Sequence, residues 1–98
     1  MNTISIKEMQ SILLNDKNTT IIDVREPFEF RVGHIKNAVN IPLQQISNYH
    51  GNKNKTIYLV CQSGRRSEMA ANILNKLGYH AISMEGGLMK WPDRLSLN

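Results

Sequence analysis

Apolar positions along the chain follow two alternating periods, one helical and one extended. Ile6, Met9, Ile12 and Leu13 fall on one helical face, and Ser5 with Glu8 makes a capping box ahead of them, which predicts a first helix to about Leu14. Thr20–Val24 is a β-branched run ending in a polar turn, the pattern of a buried strand. Pro27 can open a short helix through Phe30 that Gly33 closes, and Ala38–Ile41 reads as a weak strand stopped by Pro42. Asn48–Lys55 is polar, contains Gly51 and reads as a surface loop. The clearest unit follows. Thr56–Val60 is a buried-strand run leading into Cys61–Arg66 and then into a helical face of Met69, Ala70, Ile73, Leu74 and Leu77, with Gly78 capping the end. His80–Met84 is a further strand, and Glu85-Gly86-Gly87 leads into a last short helix carrying Trp91 before Pro92. Strands alternating with helices predict an α/β fold, a parallel central sheet flanked by helices on both faces.

Length and composition narrow this picture. The 98 residues suit one domain spanning 1–98, with 41% hydrophobic and 20% charged residues, ordinary values for a globular chain. No apolar run approaches the roughly 20 residues of a membrane span, and Met1-Asn2-Thr3-Ile4 lacks a secretory pattern, so a cytoplasmic protein without membrane association is expected. A single cysteine cannot form an internal disulfide, and a reducing compartment would keep its thiol available. The net charge of +4 is spread over scattered lysines, with Arg65-Arg66 the one adjacent arginine pair, so no nucleic-acid partner is expected. A mild positive field draws in small anions, or serves only solubility.

Cys61 lies where a predicted strand feeds a helix, beyond the carboxyl end of the sheet, where open parallel sheets bind ligands. The helix start aims free backbone N–H groups and its positive dipole end at this loop, and Arg65 and Arg66 add two cations. All three favour a thiolate without a histidine base, and the same donors suit an anionic substrate or sulfur adduct. A lone cysteine is otherwise a small buried hydrophobe. Here Gln62, Ser63, Gly64 and the arginines make a loop too polar for core packing, with Gly64 letting the backbone curl around an anion.

Three motifs, in order, carry a resemblance that spans nearly the whole chain. Asp23-Val-Arg-Glu-Pro-Phe-Glu-Phe-Arg-Val-Gly-His-Ile-Lys-Asn-Ala-Val-Asn-Ile-Pro42 resembles the amino-terminal signature of the rhodanese-like sulfurtransferases. Cys61-Gln-Ser-Gly-Arg-Arg66 is similar to that family's six-residue active-site loop, and Glu85-Gly-Gly-Leu-Met-Lys-Trp91 to its carboxy-terminal Gly-Gly-x-x-x-Trp element. The resemblance implies a five-stranded parallel sheet and a persulfide on Cys61. By the same carry-over, Cys61 would attack the outer sulfur of thiosulfate or a persulfide while Gln62, Ser63, Gly64, Arg65 and Arg66 hold the anion. A thiol or cyanide, or a protein acceptor, would then remove the sulfur in a ping-pong double displacement. Which arginine meets the donor is left open, because both stand at positions that vary in the family.

Other residues read as structural. Asp23, Arg25 and Glu29 suggest hydrogen bonds and ion pairs, with Asp23 also a candidate partner for a loop arginine. His34 in Gly-His-Ile suggests an orienting role. His34, His50 and His80 with one cysteine give no metal spacing, so neither metal nor cofactor is expected. Gly86-Gly87 reads as a tight turn, and Phe28, Phe30 and Trp91 as core or pocket wall. Two rival functions stand beside sulfur transfer. A cysteine phosphatase needs arginine six residues after the cysteine, where this chain has Ser67. A non-catalytic rhodanese-like binding or regulatory module often lacks the cysteine that this chain keeps.

Overall fold

A computed structural model describes residues 2–98. Its elements are β1 (Thr3–Ile4), α1 (Ile6–Asn15), β2 (Thr20–Asp23), α2 (Pro27–Arg31), β3 (Val39–Asn40), a 3-10 turn over Leu43–Asn48, β4 (Thr56–Val60), α3 (Arg65–Lys76), β5 (His80–Met84) and a second 3-10 turn over Leu88–Lys90. The five strands form one sheet in the order β1-β5-β4-β2-β3, and every neighbouring pair is parallel. Asp23 stands opposite Val60 and Leu59 opposite Ser83, so β2, β4 and β5 end together at one edge of the sheet. The α/β architecture expected from the alternation is the one observed.

Both faces are covered because the central strands are apolar on each side. Along β4, Ile57 and Leu59 pack towards α3 with Ile22, Ala70, Ala71, Leu74 and Ala81. Tyr58 and Val60 face the other way, towards Met9 of α1, Ile35, Met84 and Leu88. Each fully buried Ile, Leu or Met in these layers contributes about 1.5–3 kcal/mol through removal from water. The capping box of α1 forms as expected: Ser5 Oγ accepts from Glu8 N at 3.1 Å, and Glu8 Oε1 accepts from Ser5 N at 3.0 Å.

Several expectations need correction. The packed face of α3 is Ser67, Ala70, Ala71 and Leu74, whereas Met69 is 56% exposed and Leu77 44% exposed. Small residues bring α3 close to the sheet and turn Met69 to solvent. The 3-10 turn at Leu43–Asn48 and the edge strand β1 were not expected, since neither carries a periodic pattern of its own. The polar stretch after Asn48 is not wholly superficial: Tyr49 packs on the core and its carbonyl accepts from Tyr79 Oη at 3.0 Å. Trp91 follows the last 3-10 turn and packs on the α1 side, and Phe30 stacks on His34, but Phe28 is 63% exposed and belongs to no core.

Candidate active site

The site forms where β4 runs out. Cys61 keeps the inward orientation of Ile57 and Leu59 and is 0% exposed, so the polar loop does not lift it out of the core. Gln62, Ser63 and Arg65 are exposed above it. Gly64, with φ of 100°, turns the chain into α3 and offers no side chain to cap that helix. The sulfur takes this place. Cys61 Sγ accepts from Gly64 N at 3.1 Å and from Ser67 N at 3.3 Å, so it satisfies helix-start N–H groups that a capping side chain would otherwise bind. Two backbone donors and the positive end of a 12-residue helix therefore converge on one sulfur atom, which favours negative charge there.

The loop is pinned on one side by the Gly86-Gly87 turn, which was expected as a turn. Leu88 N donates to Cys61 O at 2.8 Å and Met89 N to Gln62 O at 3.0 Å. Ser63 and Gly64 take no hydrogen bond from the turn but lie against it: a Cβ at Gly87 would stand 2.7 Å from Ser63 N, and one at Gly64 3.4 Å from Gly86 N.

The arginines do not act as a pair. Both are helical, the first two residues of α3. Arg66 reaches back to α2, where its Nη1 and Nη2 meet Glu29 Oε1 and Oε2 at 2.7 and 3.0 Å. Arg66 holds the Glu29 carboxyl down at about 2, helped by the Glu26 backbone N–H, and Glu29 in turn raises Arg66. Arg65 is exposed and has no ion pair among the described residues. Asp23 is buried and pairs with Arg25 rather than with a loop arginine. Arg25 Nη2 lies 2.8 Å from Asp23 Oδ2 and also donates to Gly33 O at 2.7 Å, tying the end of β2 to the end of α2. The reason is local: Arg25 is two residues away, and its backbone N–H also bonds Asp23 Oδ1 at 3.0 Å. Asn40 Nδ2 bonds the carbonyls of Asp23 and Arg25 at 3.0 and 2.9 Å, which fixes this corner to β3.

His34 is buried and structural in its contacts, with Nδ1 on Phe30 O and Nε2 on Asn98 O. No histidine bonds to the sulfur among the described residues. They also hold no group of three or more His, Cys, Asp or Glu suited to a metal ion, and no helix long and apolar enough to cross a membrane.

Ser67 and Ser83 escaped sequence reasoning. Both are buried, Ser67 Oγ lies 3.6 Å from Cys61 Sγ, and the two hydroxyls are 2.7 Å apart. A serine in an apolar helix face was the available signal, but as residue types both are commonplace.

Comparisons with known proteins agree with the fold. The model of the rhodanese-like domain matches residues 5–94. YqhL of Bacillus subtilis is 42% identical over 82 residues, covering 81% of this chain and 65% of that protein. The thiosulfate sulfurtransferase PspE of Escherichia coli is 37% identical over 71 residues, 68% of each chain. YrkF of Bacillus subtilis is 37% identical over 94 residues, and the chain spans only 51% of its length. The crystal structure of a rhodanese-like domain protein from Staphylococcus aureus superimposes with a TM-score of 0.92 at 36% identity, covering 100% of this chain and 99% of that one. With three motifs, a parallel five-stranded sheet and a family match across most of its length, the chain belongs to the rhodanese-like domain family.

Proposed function

We propose that this chain, acting as one domain over residues 1–98, is a sulfurtransferase that carries sulfur on Cys61. The observation that carries the reading is the sulfur at the start of α3, held by the N–H groups of Gly64 and Ser67 with no histidine bonded to it. A nucleophile activated by backbone donors suits chemistry in which sulfur stays anionic before and after transfer. The thiolate attacks the outer sulfur of thiosulfate, the sulfur–sulfur bond breaks, and sulfite leaves with its electron pair. Cys61 then bears a persulfide anion. Cyanide or a thiolate attacks the outer sulfur, leaving as thiocyanate or a new persulfide, and the Cys61 thiolate returns.

Because Cys61 is fully covered, the donor reaches it when the loop above it yields. Exposed Arg65 is the cation we assign to the donor's sulfonate, with Gln62, Ser63 and Gly64 completing the cradle and Arg66 positioning the loop through Glu29. A persulfide on a small molecule or another protein is an equally suitable donor, and a protein thiol an equally suitable acceptor. Such chemistry needs a reduced thiol, which fits a cytoplasmic protein. Thiocyanate formation from thiosulfate and cyanide tests the reading: wild type turns over and Cys61→Ser does not. Equal rates in both would defeat it.

A further inference from the structure

The geometry points to the Ser67–Ser83 hydroxyl pair as a charge-responsive donor to Cys61, a positioning device that switches its hydrogen bonds as the sulfur gains or loses a proton. This rests on the reading of Cys61 as the sulfur nucleophile. Two hydroxyls are buried beside one cysteine and satisfied by each other and by Gly64 O, whereas nearby positions of α3 and β5, Ala70, Ala71 and Ala81, are alanine. Alanine at these two places would fill the layer without burying polar atoms.

Counting protons shows what the serines can do. Ser67 Oγ donates to Gly64 O at 3.1 Å and so has used its proton. The 2.7 Å contact with Ser83 is then a donation from the Ser83 hydroxyl into Ser67 Oγ, whose remaining lone pair faces the Cys61 S–H at 3.6 Å. Once Cys61 loses its proton to water admitted by the same opening that admits the sulfur donor, that S–H donor is gone and the sulfur carries charge. Rotation about the Ser67 Cβ–Oγ bond then carries its O–H from Gly64 O to Sγ. Gly64 O is not orphaned, because Glu68 N also donates to it at 3.2 Å. The sulfur gains a third donor beside the N–H groups of Gly64 and Ser67. Ser83 keeps donating into Ser67 Oγ in both states and polarises its O–H towards the anion.

The switch needs no charged group to move. On the elements that meet there these are Arg65, Arg66 and Glu68 of α3, Glu29 of α2, the Asp23–Arg25 pair at the end of β2, and Glu85 and Lys90 in the segment after β5.

The chain has one cysteine, so its thiolate absorbance band in the ultraviolet reports on Cys61 alone, whether or not sulfur transfer is its task. That band is to be followed against pH in wild type, Ser67→Ala and Ser83→Ala, with circular dichroism confirming the fold. A hydrogen bond to a charged group implies that the Ser67→Ala midpoint moves up by about one pH unit or more, and the Ser83→Ala midpoint moves the same way by less. A folded Ser67→Ala with the wild-type midpoint overturns the proposal. If Ser67→Ala does not fold, Ser83→Ala decides alone: an upward shift supports the switch and an unmoved midpoint overturns it. A failure to form thiocyanate with these midpoints shifted would count against the sulfur-transfer reading and leave the switch standing.

Discussion

Replacing Gly87 with alanine should damage this protein far more than the same change at Gly86, although the two residues are adjacent and both have positive φ. Gly87 has φ of 71° and ψ of −179°, a region essentially confined to glycine, and an L residue held there costs about 1–3 kcal/mol. Its Cβ would also overlap the Gln62 carbonyl and stand 2.7 Å from Ser63 N, so the obstruction is backbone. Relief requires the loop to withdraw, which sacrifices the bonds from Leu88 N to Cys61 O and from Met89 N to Gln62 O, each worth about 1 kcal/mol. The total is about 3–5 kcal/mol, a large part of the roughly 5–15 kcal/mol that holds a domain together. At Gly86, with φ of 80°, the added Cβ meets the Lys90 Cδ at 3.4 Å, the flexible end of a side chain, so only the left-handed cost of about 1–2 kcal/mol remains. Urea unfolding of both variants compares the two costs. A Gly87→Ala protein as stable as Gly86→Ala would refute the idea that this turn clamps the cysteine loop.

Three other outcomes follow from the charged residues around the site. Asp23→Ala leaves Arg25 buried without its countercharge and should cost about 3–5 kcal/mol in urea unfolding, whereas an exposed aspartate would cost almost nothing. Glu29→Gln should cost about 1 kcal/mol at neutral pH, since the pair is partly exposed. The folded carboxyl is held at about 2 against an ordinary 4.5, so this stability is fully present above about pH 4.5 and fades as pH falls towards 2. The wild-type advantage over Glu29→Gln, measured by denaturation across this range, should shrink accordingly. Arg65→Ala should raise the KM for thiosulfate about tenfold or more with little change in stability, while Arg66→Ala should lose about 1 kcal/mol of stability through Glu29, as steady-state kinetics and unfolding can separate.

How much was legible in the chain depends on how local the cause was. β2 and β4 stood out because buried parallel strands are continuous β-branched runs, and α1 because its capping box lies wholly within four residues. β1 did not, because two residues have no period. It exists through bonds donated by Ser83 N to Asn2 O and by Glu85 N to Ile4 O, made with a strand some 80 residues away in sequence. The Cys61 loop could be singled out from its place between strand and helix, and Gly64 from the turn it makes. The commitment of Arg66 to Glu29 could not, since it joins residues 37 apart that only the crossover brings together. Met69 misled because helical spacing names a face without fixing its edges, and close packing of alanines moved the edge by one residue. Ser67 and Ser83 were hidden for a different reason: a serine advertises nothing until the atoms around it are known.

The central claim is that Cys61 accepts a sulfur atom and gives it up. Intact mass after brief incubation with thiosulfate, followed by a cyanide chase assayed for thiocyanate, reads both halves of that cycle on wild type and Cys61→Ser. Gain of one sulfur atom on wild type alone, removed by cyanide with matching thiocyanate, is the expected result. An unchanged mass with both thiosulfate and a polysulfide donor, or an equal gain on Cys61→Ser, would contradict it.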